Sequence, residues 1–367
     1  MTEFEAILRL HMTKGIGART YQTLVERFGS IAALFQAVKP ELEKLPGIGE
    51  KIASAILEES QRVDIHQEID LAEKNNIKII PYTSADYPQH LKNLYDPPLV
   101  LYVKGNLLET DLIALAIVGA RRCTYYGLSQ AERFARQLAQ KGFCIISGMA
   151  RGIDTAAHKG AISSNGRTIA VLGCGLGMVY PKENAVLSEN IIQHGALISE
   201  FPINTPPDYR NFPPRNRIIS GLSLGVLVIE STLKSGSLIT AQWALEQGKE
   251  VFALPGNVDS LYSQGTNKLI KEGAKLTEDI TDIIQELGPV ADSLCPAGED
   301  SALKDPRDLL LNSHEKKIFS LLSSAPIYID EIIQSTKLPT SIVSSTLMIL
   351  EIKRLVKQLS GKRFVKA

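Results

Sequence analysis

What the 367-residue sequence lacks narrows the field first. It has no net charge, because forty Lys and Arg balance forty Asp and Glu. A zero total does not exclude nucleic acid as a partner, since segments of one chain can differ in sign. It has only four cysteines, Cys123, Cys144, Cys174 and Cys295, with no CxxC, and six histidines with no HxxxH pair. That spacing supports neither a disulfide framework nor a zinc site. No apolar run approaches ~18 residues, so no membrane span is expected. Glu3, Glu5 and Arg9 interrupt the start of the chain, which is unlike a signal peptide. A reducing cytoplasm is the expected compartment. Two nucleotide signatures are also missing. The nearest approach to GxxxxGK[ST], Gly160 to Thr168, is one residue too long and has Arg167 in place of lysine. Gly173 to Gly177 reads GxGxG, follows the third strand rather than the first, and is not matched by an acid after the second strand. Neither a P-loop ATPase nor a dinucleotide cofactor is expected. No cofactor, metal or catalytic residue is assigned.

What is present is 44% apolar and 22% charged, ordinary for a globular chain. Three regimes follow one another. Residues 1–64 read as short helices, with Leu24, Val25, Phe28 and then Ile31, Leu34, Phe35, Val38 at helical spacing. Two Gly-Ile-Gly turns, at 15–17 and 47–49, punctuate them. Residues 65–287 alternate strands and helices. Apolar runs at 114–119, 143–148, 168–173, 196–199, 226–229 and 251–254 are separated mostly by helical stretches such as 129–141, 155–163, 185–195 and 238–248. Continuous apolar strands alternating with helices predict a parallel sheet covered on both faces. Residues 288–306, with three prolines and two glycines, read as a linker. Residues 307–367 hold ten Lys and Arg against five Asp and Glu, and residues 1–64 hold eight against nine. Helices near 312–323, 329–336 and 340–353 followed by a basic ribbon suggest a winged helix. The fold class is therefore α/β: an extended Rossmann-like parallel sheet, preceded by a helix-hairpin-helix or SAM-like helical domain and followed by a winged helix.

Several loops carry the chemistry. In an open parallel sheet, ligands bind beyond the carboxyl ends of the strands. Gly119-Ala-Arg121-Arg122, Ser147-Gly-Met-Ala-Arg151, Gly173-Cys-Gly-Leu-Gly177 with Tyr180-Pro-Lys182, and Ser235-Gly236-Ser237 all sit at such ends. Loops of this kind expose backbone N–H groups at helix starts, which suits phosphate. Tyr209-Arg-Asn-Phe212-Pro-Pro-Arg215-Asn-Arg217 places three arginines and two aromatics in nine residues, beside a turn expected at Pro213-Pro214. Aromatic faces stack on unpaired bases and guanidinium groups grip phosphates. The plainer alternative packs Phe212 in the core and pairs the arginines with Glu200 or Glu230. Asp154 and His158 stand at i and i+4; a structural hydrogen bond is preferred to a catalytic pair, and Asp154 is a candidate N-cap. Lys234 reads either as a phosphate ligand or as a solvated loop residue. The Gly-Ile-Gly turns suit either DNA phosphates or packing alone. Thr340 to Thr346 offers few groups to read bases, so Lys353, Arg354, Lys357, Lys362 and Arg363 suggest backbone binding or a protein contact.

These residues resemble the DNA-processing protein A family (DprA, also called Smf). The resemblance runs through Val118-Gly-Ala-Arg-Arg122, Ser147 to His158, Gly173-Cys-Gly-Leu, Tyr180-Pro181, Phe212 to Leu222, Ser235 to Ala241 and Gln264 to Ile270, with a lead-in at Asp96 to Asn106. It implies a non-enzymatic protein of natural transformation that binds and protects single-stranded DNA and loads the RecA recombinase, with single-strand-binding protein as a further partner and a homodimer as the assembly. The DNA-contacting positions it implies are Arg121, Lys182, Phe212 and Arg215. With the loops above, the candidate DNA-binding set is Gly119, Arg121, Arg122, Arg151, Lys182, Phe212, Arg215, Arg217, Ser235, Gly236 and Ser237. Three positions depart from the family pattern: Gly177 stands where Asp is common, Ser231 where Ala is common, and Tyr209 where some members place a lysine. Arg210 is the nearest residue able to replace that charge. Two rival functions are a phosphoribohydrolase-like nucleotide enzyme, whose glutamate is missing at Thr240-Ala-Gln242, and a duplex-DNA regulator acting through the winged helix.

Overall fold

The computed structural model describes residues 2–13, 15–29, 34, 37–287, 313–322, 327–336, 338–352, 356–359 and 361–366. The expected linker 288–306, the apolar positions Ile31 and Phe35 and the basic pair Lys353 and Arg354 lie outside the described residues. The chain divides into two compact units, Met1–Pro296 and Ala297–Ala367.

The first unit is built on a nine-stranded sheet. Its strands are β1 (Ile77–Pro81), β2 (Val100–Gly105), β3 (Ala114–Val118), β4 (Cys144–Ser147), β5 (Thr168–Leu172), β6 (Gly195–Ser199), β7 (Gly225–Val228), β8 (Glu250–Ala253) and β9 (Lys275–Leu276). Their spatial order is β1-β2-β6-β5-β4-β3-β7-β8-β9. The strands from β6 to β9 pair in parallel, as the apolar runs predict, whereas β2 pairs antiparallel with both β1 and β6. Strands β1, β2 and the short β9 are additions to the expected set. Alternation along β3 fixes the layers. Leu115 and Ile117 enter one core, while Ala114, Ala116 and Val118 enter the core on the opposite face.

Helices α1 (Glu3–Met12), α2 (Ala18–Phe28) and α3 (Ile65–Lys74) precede the sheet. Thr2 caps α1 through a capping box with Glu5. Leu8, Leu10, Leu24 and Ile56 share a core with Val100, Tyr102, Leu172 and Leu197, so the helical module is packed onto the sheet. The Gly-Ile-Gly turns do open helices, at Gly17 and Gly49. At the first, Arg19 lies 3.5 Å from the Tyr95 ring centroid, and a Cβ on Gly17 would stand 3.8 Å from Asp96. This helix start faces the protein's own 95–96 loop, in line with the packing alternative. A Cβ on Gly47 or Gly49 would meet nothing within 4 Å.

Between and after the strands run α4 (Tyr125–Gln140), α5 (Ile153–Ser163), α6 (Ala185–His194), α7 (Phe212–Gly221), α8 (Gly236–Glu246), α9 (Gln264–Lys271) and α10 (Ile280–Leu287). α4 begins four residues earlier than the apolar spacing suggests, because Thr124 accepts from the Gly127 N–H and caps it there. Pro213 and Pro214 make no separate turn. They occupy the first turn of α7, where no N–H donor is needed.

The second unit consists of α11 (Ser313–Phe319), β10 (Ile327–Tyr328), α12 (Ile329–Thr336), α13 (Thr340–Ile352), β11 (Val356–Leu359) and β12 (Arg363–Lys366). The strands order as β10-β12-β11, so the expected ribbon gains a third strand. Val343, Leu347 and Leu350 point into its core at helical spacing, and Ser344, Ser345, Met348 and Ile349 face outward.

Candidate nucleic-acid interface

The chain lays β3, β4, β5 and β6 outward in one direction, then returns to place β7 on the other flank of β3. At this reversal the connections leaving β3 and β7 run apart, and a crevice opens beyond the carboxyl ends. It is a groove of about 570 Å3. Gly119, Arg121 and Arg122 line it after β3, Tyr209, Phe212 and Arg215 around the start of α7, and Ser235, Gly236 and Ser237 after β7. A narrow recess of about 30 Å3 adjoins it, lined by Arg121, Arg151, Gly173, Tyr180, Phe212 and Arg215. The structure thus gathers most of the residues singled out from the sequence. Lys182 lies outside both linings, exposed just after Tyr180-Pro181. Arg217 is not in the groove at all. It is buried, donates to both carboxylate oxygens of Glu200 at 2.9 and 2.7 Å and to the Asp96 carbonyl at 2.9 Å, and borders a different cavity of about 750 Å3 at the amino ends of β7 and β8. Its placement as a DNA contact is corrected. The acid-paired alternative describes it, because the i and i+2 positions on α7 point in different directions.

Arg215 forms the floor. It is 4% exposed and donates to the carbonyls of Gly148, at 3.1 Å, and Val171. Beside it the Asp154 carboxylate accepts the N–H groups of Gly148 at 3.2 Å and Ala150 at 3.3 Å. Burial holds Arg215 down to about 10, against the pull of Asp154, and burial raises Asp154 against the pull of Arg215. Swinging Arg215 out to a phosphate would leave two carbonyls unpaired, so its contribution is a fixed positive field under the recess. Asp154 and His158 do not bond to each other, as their spacing had suggested. Thr168 donates its hydroxyl to the Ile145 carbonyl, so it accepts from His158 Nδ1 at 2.7 Å. Asp154 is not the N-cap of α5 either; Gly152 is, with φ +77, and a Cβ there would come 2.5 Å from the Ala120 carbonyl oxygen.

Phe212 is the hub of a ring and cation cluster. Its ring stacks on Tyr180 at 5.8 Å and 25°, with Arg121 at 5.0 Å and Arg215 at 5.8 Å from its centroid. It also lies against Gly173, where a Cβ would approach to 2.6 Å. Phe212 is half-buried.

Carboxylates decide which charges remain available, and Glu230 holds Thr124 rather than the arginine offered for it by the plainer alternative. The start of α4 was expected to present free amides to phosphate. Instead Glu230, buried at the end of β7, accepts the Thr124 N–H at 2.8 Å and its hydroxyl at 2.5 Å. A Cβ on Gly127 would stand 2.5 Å from that carboxylate, so its glycine permits the approach. Arg151 is paired with Glu183, and Arg210 with Asp208 at 2.6 Å. Arg210 therefore does not supply the charge missing at Tyr209. Asp208 is drawn down to about 2 by its hydrogen bonds from Arg210. These pairings join residues 2, 32 and 106 apart, and no periodicity announces them. Ser235 caps α8, and its hydroxyl, 2.8 Å from that of Ser237, begins a short chain on to Ser231. Gly236 is open, with nothing within 4 Å of a Cβ there.

Known proteins give the arrangement its context. The profile of the family described as DNA recombination-mediator protein A matches residues 78–288, a DprA winged helix domain matches 303–362, and a SAM-like helix-hairpin-helix tandem matches 6–62. Protein Smf of Escherichia coli is 44% identical over 261 residues, covering 68% of this chain and 70% of that one. DNA processing protein DprA of Bacillus subtilis is 46% identical over 215 residues, 58% of this chain and 72% of that one. The X-ray structure of DprA from Streptococcus pneumoniae superposes with TM-score 0.67 at 33% identity, over 78% of this chain and 98% of that one. DNA processing protein A from Helicobacter pylori, solved for its single-stranded DNA binding mode, superposes with TM-score 0.52 at 32% identity over 57% and 95%. The open Rossmann-like sheet is thus shared with these relatives, the helical preface and the winged helix each match a family model of their own, and the chain belongs to the DNA-processing protein A family.

Proposed function

We propose that this protein binds single-stranded DNA without sequence preference in the groove between the ends of β3 and β7, and passes the strand to a RecA-type recombinase during natural transformation. One observation carries the reading: exposed Arg121 and Arg122, the Phe212 cluster and the open Ser235–Ser237 helix start line one groove. Rings and guanidinium groups side by side suit unpaired bases strung on phosphates. The Helicobacter pylori relative, known for its single-stranded DNA binding mode, supports the substrate, and the recombination-mediator description of the family supports the hand-over. Single-strand-binding protein and a second copy of this chain are the further partners in this reading, and the cytoplasm its setting. No helix among the described residues is long and apolar enough to cross a membrane.

The rival readings find less. Among the described residues Asp154 is the only carboxylate lining the groove, and it is bonded to two amides; Glu246 borders the other cavity. The phosphoribohydrolase-like reading needs a glutamate after the Ser235 turn, and the groove lining offers none. The outward face of α13, Ser344, Ser345, Met348 and Ile349, carries no cation, which favours a protein contact over duplex DNA. Fluorescence anisotropy with oligo(dT) and a duplex of equal length is the test. Tight, salt-sensitive binding that prefers the single strand is expected. Equal or stronger binding to duplex, or release of free base from nucleoside monophosphates, would overturn the proposal.

A further inference from the structure

Tyr209 is 80% exposed, yet it lines the same groove as Phe212 and lies three residues before it. Residues at this spacing in a helical turn share a face. The two rings differ in what they already touch. Phe212 has Gly173 beneath it, Tyr180 stacked on it and two guanidinium groups beside it. Tyr209 has one cation over its ring among the described residues, Arg210, with its Cζ 5.9 Å from the ring centroid. That guanidinium is tied to Asp208 through Nε at 3.0 and 3.2 Å and Nη2 at 2.6 Å. The segment from Asp208 to Arg210 is therefore electrically balanced and presents a ring to the groove, with no free cation. An aromatic ring thus stands open in the groove that Arg121 and Arg122 also line.

We propose that Tyr209 is a second base-stacking seat, on which an unpaired base rests while the Phe212 cluster holds the neighbouring part of the strand. This rests on the single-stranded DNA reading. Its consequence is a trade at one position: the strand gains a non-ionic contact where a lysine would have given an ionic one. Stacking on an open ring changes binding by about 5- to 150-fold per base.

The test crosses protein and ligand variants, using the full chain with oligo(dT) and with an oligonucleotide of the same length that carries abasic sites. Tyr209→Ala is expected to weaken oligo(dT) binding about tenfold with the salt slope unchanged, while Tyr209→Phe binds like the parent. The abasic strand is expected to bind both proteins nearly alike, so the loss depends on the base being present. Tyr209→Lys is expected to steepen the salt slope by about 0.7. Parent protein that binds oligo(dT) while Tyr209→Ala binds it equally well overturns this inference and leaves the function standing. An equal loss on the abasic strand overturns it too. Failure of the parent protein to bind oligo(dT) is a failure of the underlying function instead.

Discussion

Replacing Arg121 by alanine tests the charge inventory of the groove. Of the basic residues that line or flank it, Arg151 and Arg210 are neutralised by Glu183 and Asp208, and Arg215 is buried on two carbonyls. Arg121, Arg122, Lys182 and Lys234 remain exposed. If each meets one phosphate, four counterions are displaced. The logarithm of affinity should then fall with the logarithm of salt at a slope of about −3, since single strands give about −0.7 per phosphate. Raising monovalent salt from about 50 to about 200 mM would weaken oligo(dT) binding about 50-fold. Arg121→Ala should flatten the slope to about −2 and reduce the same loss to about 20-fold. Anisotropy titrations at four salt concentrations measure both slopes. A parent slope steeper than about −5 would mean that cations counted here as neutralised also meet phosphate. An unchanged slope in Arg121→Ala would remove this residue from the phosphate path.

Three further outcomes follow from particular contacts. Glu183→Gln should release Arg151 from its exposed ion pair and strengthen oligo(dT) binding about two- to fivefold, with a slope steeper by about 0.7; weaker binding at low salt would contradict the pairing. Gly173→Ala should push the Phe212 ring off its seat, costing about 1–3 kcal/mol of stability and weakening strand binding; a variant with parental melting and affinity would show the ring is not held there. Burial keeps His11 down at about 4 and His158 down at about 3, so the unfolded chain takes up protons first as pH drops below about 6.5. Stability should therefore be full above that pH and fall as it is lowered, by about 2 kcal/mol per histidine at pH 5, on an order-of-magnitude scale. Urea unfolding of the parent and of His11→Leu at pH 7 and pH 5 checks this, and the variant should lose about half as much; an equal loss in both would acquit His11.

Much of the architecture was written locally. Runs such as Ala114 to Val118 and Thr168 to Leu172 are apolar at every position because both faces of a parallel strand are covered. Glycine-rich loops at their ends located the groove, since ligands collect where connections leave the sheet at a reversal. Strands β1 and β2 were harder to read, because both pair antiparallel and β2 meets β6 only after three intervening strands of chain. The start of α4 depended on a single cap at Thr124.

Residue order alone names what the groove holds: Arg121 and Arg122 after one strand, Tyr209 and Phe212 at the start of one helix, and the Ser235 turn. Which of those charges are free depends on how the chain folds. Arg217 went to Glu200, seventeen residues away, Arg151 to Glu183, and the start of α4 to Glu230, more than a hundred residues after Thr124. An arginine reads the same in sequence whether a carboxylate or a phosphate awaits it. Its partner is chosen by chain reversal and burial, and those belong to the folded molecule.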